Sequence, residues 1–94
     1  TASRDTLRKQ AAWLRENKSI NVTIEGHADE RGTREYNLAL GERRANAAKD
    51  YLMTYGISGN RIATISYGKE RPVNSGSGPL AWSQNRRSVT VKVD

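Results

Sequence analysis

The chain contains no cysteine. Disulfide frameworks and cysteine-based zinc sites are therefore excluded. No apolar run approaches the ~20 residues that a membrane span needs. No signal-peptide pattern is present. There is no long block of like charge, no internal repeat and no interior domain boundary. What remains is a chain of 94 residues, 35% hydrophobic and 28% charged, with a net charge of +6 and a pI near 10.1. Such a length and balance describe one small globular domain with a modest core. The excess of base suits an acidic partner (nucleic acid, an anionic membrane or an acidic wall polymer) or simply a solvated surface. The opening "TASRDTLRKQ" is already helix-like, so the chain reads as a piece of something longer.

Leu7, Ala11 and Leu14 recur at helical spacing behind Ser3, a candidate cap, and "ENKS" ends that run. "INVTIEGHA" alternates, with Ile20, Val22 and Ile24 on one face of a strand. "DERGT" is a polar turn that leaves Thr33 to cap a second helix from Arg34 to about Tyr55. On a wheel of about 100° per residue, Tyr36, Leu40, Ala47, Ala48, Tyr51 and Tyr55 share that helix's apolar face. Gly56 and Ile57 read as a glycine C-cap with its following hydrophobe. "RIATISYG" predicts a second strand, "GKERPVNSGSGP" a loop, "LAWSQNRR" a short helix, and "SVTVKVD" a strand with Val89, Val91 and Val93 on one side. Helices alternating with strands imply a small sheet covered by helices, an α+β sandwich. One more strand before Thr1 would complete it.

Arg44 falls near the middle of the apolar arc. Burying its charge without a partner costs several kcal/mol, on the order of a domain's net stability. Either it snorkels or pairs with an internal carboxylate, or it lines a pocket and takes an anion from outside. Asp29 lies just after the strand, where ligand sites gather in helix-covered sheets. The turn from Glu30 to Thr33 leads to a helix N-terminus, whose free amides favour an anion. Arg44 stands ~15 Å along the helix from its start, so Asp29 and Arg44 can line one cleft. A carboxylate, a guanidinium fork and a ring of amides match a zwitterionic amino-acid end.

"IEGHADERGTREYNLALGERRANAAKDYL" resembles the signature of OmpA-like peptidoglycan-binding domains, and "SYGKERP" and "NRRSVTV" resemble that family's later strands. The resemblance covers nearly the whole chain. It implies non-covalent, non-enzymatic binding of peptidoglycan through meso-diaminopimelate of the stem peptide, with no cofactor and no metal. The family's acidic ligand residue falls on Asp29 and its arginine on Arg44; Thr33, Asn37 and Leu40 match its further contacts. The family's first strand would precede Thr1, and the "NSGSGP" loop departs from the family's charged versions, so no contact carries over there. Three parents fit: a lipoprotein, the tail of an outer-membrane barrel, or a flagellar stator. "GHADERGTREYN" favours the lipoprotein. That implies Tol-system partners, TolB among them, a lipid anchor upstream of this chain, and a place on the periplasmic face of the outer membrane of a Gram-negative bacterium.

His27, Asp29 and Glu30 are too few and too poorly convergent for a metal centre; His27 is expected to hydrogen-bond beneath the turn. No nucleophile–base–orienter set is present. A basic nucleic-acid module is the alternative from another class, with Trp13, Trp82 and the tyrosines as stacking groups. No nucleic-acid motif supports it, and Tyr36, Tyr51 and Tyr55 are expected in the core. In "NRR" at 85–87, one arginine is expected to brace the fold.

Overall fold

The computed structural model describes residues 2–70, 78, 80 and 87–93. Helix α1 (Ala2–Glu16) is followed by strand β1 (Asn21–His27), helix α2 (Arg34–Thr54), a 3-10 turn (Gly59–Arg61), strand β2 (Ile62–Gly68) and strand β3 (Arg87–Val93). The loop and short helix expected across residues 71–86 lie outside the described residues, apart from isolated positions, as do Trp82 and Arg86.

The sheet order is β2-β1-β3. Strand β1 runs parallel to β2, in register Val22 with Ile62, and antiparallel to β3, in register Ile24 with Thr90. A parallel neighbour needs a crossover, and α2 supplies it. Both helices lie on one face of the sheet. There Ala11, Leu14, Val22, Ile24, Ala45, Ala48, Leu52, Ile57 and Ile62 form the core, with Leu7, Ile20 and Tyr55 packed at its margin. Burying a residue such as Leu52 contributes about 1.5–3 kcal/mol.

Two expectations change. Helix α1 is already under way at Ser3, having begun at Ala2. The buried stripe of α2 is Asn37, Gly41, Ala45, Ala48 and Leu52. That stripe lies about one residue, or 100°, from the face read off the large apolar side chains. Tyr36 is 55% exposed, and Ala47 is exposed as well. The physical reason is the closeness of α2 to the sheet. A Cβ on Gly26 would strike the carbonyl of Gly41, and a Cβ on Gly41 would meet Ser66 Oγ and the Gly26 carbonyl. Backbone against backbone leaves room only for small residues, so Gly41, Ala45 and Ala48 face inward. Strand β3 keeps the expected alternation: Val89 and Val91 pair with Glu25 and Thr23, on the side of the sheet away from the helices, and Val93 pairs with Asn21.

Both ends of α2 are closed as the sequence implies. Thr33 Oγ1 accepts from the Tyr36 amide at 3.1 Å. At the far end Gly56 takes φ +90°, Gly56 N donates to the Met53 carbonyl and Ile57 N to the Leu52 carbonyl. These are the paired bonds of a Schellman motif. Arg61 joins the lower edge: its Nε donates to the Ile20 carbonyl and its Nη2 to the carbonyls of Leu14 and Asn17. One guanidinium thereby closes the end of α1 and the entry to β1.

Candidate functional site

The glycine contact fixes where α2 crosses β1, and that crossing places Arg44. It reaches the C-terminal end of the strand and donates Nη1 to the His27 carbonyl at 2.8 Å. That partner is a backbone carbonyl rather than an internal carboxylate. Arg44 braces the strand end and it also lines an open cleft of about 470 Å³, together with Asp29, Arg31, Gly32, Tyr36, Asn37 and Leu40.

Asp29 forms the opposite pole. It is 5% exposed, and a buried carboxylate must be compensated. Its Oδ1 accepts from the backbone amide of Arg31 at 3.0 Å, an Asx-type turn. The Arg31 side chain closes a fork on the same carboxylate: Nε to Oδ1 at 3.1 Å and Nη2 to Oδ2 at 2.7 Å. That hydrogen bond raises the Arg31 guanidinium above its ordinary pKa, against a smaller opposing effect of desolvation. The Arg31 side chain is 49% exposed, whereas that of Asp29 is 6% exposed.

Of the five residues singled out by sequence, the cleft is lined by Asp29, Asn37, Leu40 and Arg44. Thr33 stands behind it as the helix cap. Asn37, 1% exposed, spends its side-chain amide on the carbonyls of Arg31, at 2.6 Å, and Thr33, at 2.9 Å. It holds the turn closed from inside. The loop after β2 holds it from outside: Lys69 Nζ donates to the Gly32 carbonyl at 3.0 Å, and Arg34 pairs with Glu70 at 2.6 Å. Ser66 Oγ donates to the Leu38 carbonyl at 2.6 Å, tying the first turns of α2 to β2. The site is therefore a turn pinned on three sides.

His27 is buried, as expected of a hydrogen-bonded structural residue, but its side-chain partners Glu25 and Tyr67 are on the strands rather than in the turn. It is 1% exposed, stacks on Tyr67 at 5.5 Å and meets Glu25 at 3.1 Å. No group of three acids or histidines placed to hold a metal occurs among the described residues. Arg31, Gly32 and Tyr36 are cleft residues that the sequence reading missed. The spacing Asp29-x-Arg31 inside a turn was the available signal for the first of them.

The geometry defines a class: a small α+β domain with a polar, two-pole cleft at a strand end. Residues 1–86 match the OmpA family, and the chain belongs to it. It is similar to the peptidoglycan-associated lipoprotein of Rhizobium meliloti, 63% identical over 86 residues, which are 92% of this chain and 49% of that protein. Its counterpart in Brucella melitensis is 60% identical over 95% of this chain and 53% of that protein. The chain thus spans about half the length of these relatives. Among solved structures, the peptidoglycan-associated lipoprotein from Burkholderia pseudomallei superposes with a TM-score of 0.94 at 38% identity, covering 99% of this chain and 79% of that one. The C-terminal domain of Helicobacter pylori MotB superposes at 0.89 with 18% identity, over 100% of this chain and 74% of that one, a likeness of fold alone.

Proposed function

We propose that this chain is a non-catalytic wall-binding domain that grips the diaminopimelate of an uncrosslinked peptidoglycan stem. The observation that carries the reading is the single cleft lined by both Asp29 and Arg44. Opposite charges at its two poles suit an ammonium–carboxylate centre, the ammonium on Asp29 and the carboxylate on the Arg44 fork. Leu40 offers an apolar wall to the ligand's methylene chain. Thr33 and Asn37 act through the turn they hold, keeping its amides and the Asp29 carboxylate in place. The names of the relatives, peptidoglycan-associated lipoproteins at 60% identity and above, support peptidoglycan as the polymer bound and a lipoprotein parent rather than a barrel or a stator. On this reading the parent tethers the outer membrane to the wall from its periplasmic face, in a Tol-Pal-type system with TolB as a partner.

Asp29→Asn and Arg44→Ala test the two poles. Each is expected to weaken binding of a diaminopimelate stem peptide at least tenfold, as loss of a partnered charge does, while the domain stays folded. An Arg44→Ala protein with a lowered melting temperature and unchanged affinity would show that Arg44 only braces the strand.

A further inference from the structure

The cleft already holds a cation. Arg31 closes a two-bond fork on Asp29, in the place where the proposed ligand's ammonium belongs. The two partners are unequal. Asp29 is buried and fixed by the Arg31 backbone amide. The Arg31 side chain is half exposed, so it can move into water without uncovering any core. Its backbone is independently secured, because Asn37 holds the Arg31 carbonyl. The guanidinium can therefore swing away while the turn stays shut.

We infer that Arg31 is a displaceable internal counter-ion, a specificity-determining residue that an incoming ammonium must exchange for itself on Asp29. This rests on the proposed reading of the cleft. The exchange is cation for cation: Asp29 keeps its compensation throughout, and Arg31 gains solvent. A ligand with a neutral group at that end offers no cation in exchange for the guanidinium and so binds against the fork. The Arg31 end of the fork lies half in water and Asp29 keeps the Arg31 backbone amide when the fork opens, so the competition amounts to a factor of about five to ten in affinity.

The test follows the Arg31 Nε–H resonance and the dissociation constant of a diaminopimelate-terminated tripeptide stem. The 94-residue chain is compared with its Arg31→Gln and Arg31→Lys variants. Addition of the peptide should move the Arg31 Nε–H signal to the position of a solvated arginine. Arg31→Gln should bind about five- to tenfold tighter, with Arg31→Lys between it and the parent. If Leu40 and Arg44 respond to the peptide while the Arg31 signal stays, the exchange is refuted and the cleft reading survives. Weaker binding by Arg31→Gln would make Arg31 a direct ligand contact and equally refute the exchange. No response anywhere in the cleft, in any of the three proteins, would overturn the cleft reading and the exchange together. The resonance is read on the unmodified chain, so the test stands even if a variant folds poorly.

Discussion

Helix propensity and packing make opposite forecasts for Gly41→Ala. In the interior of α2, replacing glycine by alanine should stabilise the helix by about 1 kcal/mol. In the structure, the added Cβ meets Ser66 Oγ and the Gly26 carbonyl. One of these is backbone in the central strand, which has nowhere to go without moving β1 or α2. Overpacking of a tight contact costs about 1–3 kcal/mol, and more where backbone is involved. With backbone as the neighbour the cost lies at the upper end, about 3 kcal/mol or more, and subtracting the propensity gain leaves a net loss of about 2 kcal/mol or more. For a domain of this size that lowers the melting temperature by about 4–8 °C per kcal/mol. Thermal unfolding followed by circular dichroism measures it. Ala47→Gly, on the exposed side of the same helix, supplies the control. It should also lose about 1 kcal/mol, from propensity alone. The same exchange of residues, made in opposite directions on two faces, then destabilises both times. A melting temperature for Gly41→Ala equal to or above that of the parent would refute the close-approach account. The Gly41→Ala protein should also bind the stem peptide less well, because the crossing that carries Arg44 to the His27 carbonyl has shifted.

Two further substitutions probe the frame. Arg61→Met removes the side-chain donors to the carbonyls of Leu14, Asn17 and Ile20; chemical denaturation should show a loss of about 2 kcal/mol or more, with ligand affinity unaffected because the lesion lies at the other end of β1. Thr33→Ala removes the cap on Tyr36 N and should cost about 1 kcal/mol, with faster amide exchange confined to the first turn of α2.

The strands and both long helices were legible because their signals are local. Alternation at Val22 and Ile24, the Thr33 cap and the Gly56–Ile57 stop each depend on a few neighbouring residues. The inward face of α2 was less legible. Large apolar residues point to Tyr36, Tyr51 and Tyr55, whereas a helix packed backbone to backbone against a sheet buries Gly41, Ala45 and Ala48, which carry little apolar signal. The tyrosines sit at the flanks, where Tyr51 and Tyr55 pack ring to ring at 5.2 Å. Likewise the valine alternation of β3 revealed that one face is apolar, but which face is set by pairing with β1, a tertiary fact. At the cleft, Arg44 was readable because a charge on an apolar helix face needs a reason, and Asp29 because it follows the end of a strand. The work of Asn37 was not readable, since its partners are backbone carbonyls brought near only by the closed turn. The Arg31 fork is local, two residues from Asp29, and the spacing Asp29-x-Arg31 carried a signal that went unread.

The central claim is that Asp29 and Arg44 hold the two charges of one amino-acid end. The most direct measurement is an NMR titration of the chain with a diaminopimelate-containing stem peptide and, in parallel, a lysine-containing stem. The lysine stem keeps the ammonium and lacks the carboxylate that Arg44 would hold. The account predicts saturable shifts at Asp29–Asn37, Leu40 and Arg44 with the diaminopimelate stem and at most weak ones with the lysine stem. Equal responses to the two peptides, or shifts that avoid this cleft, would contradict it.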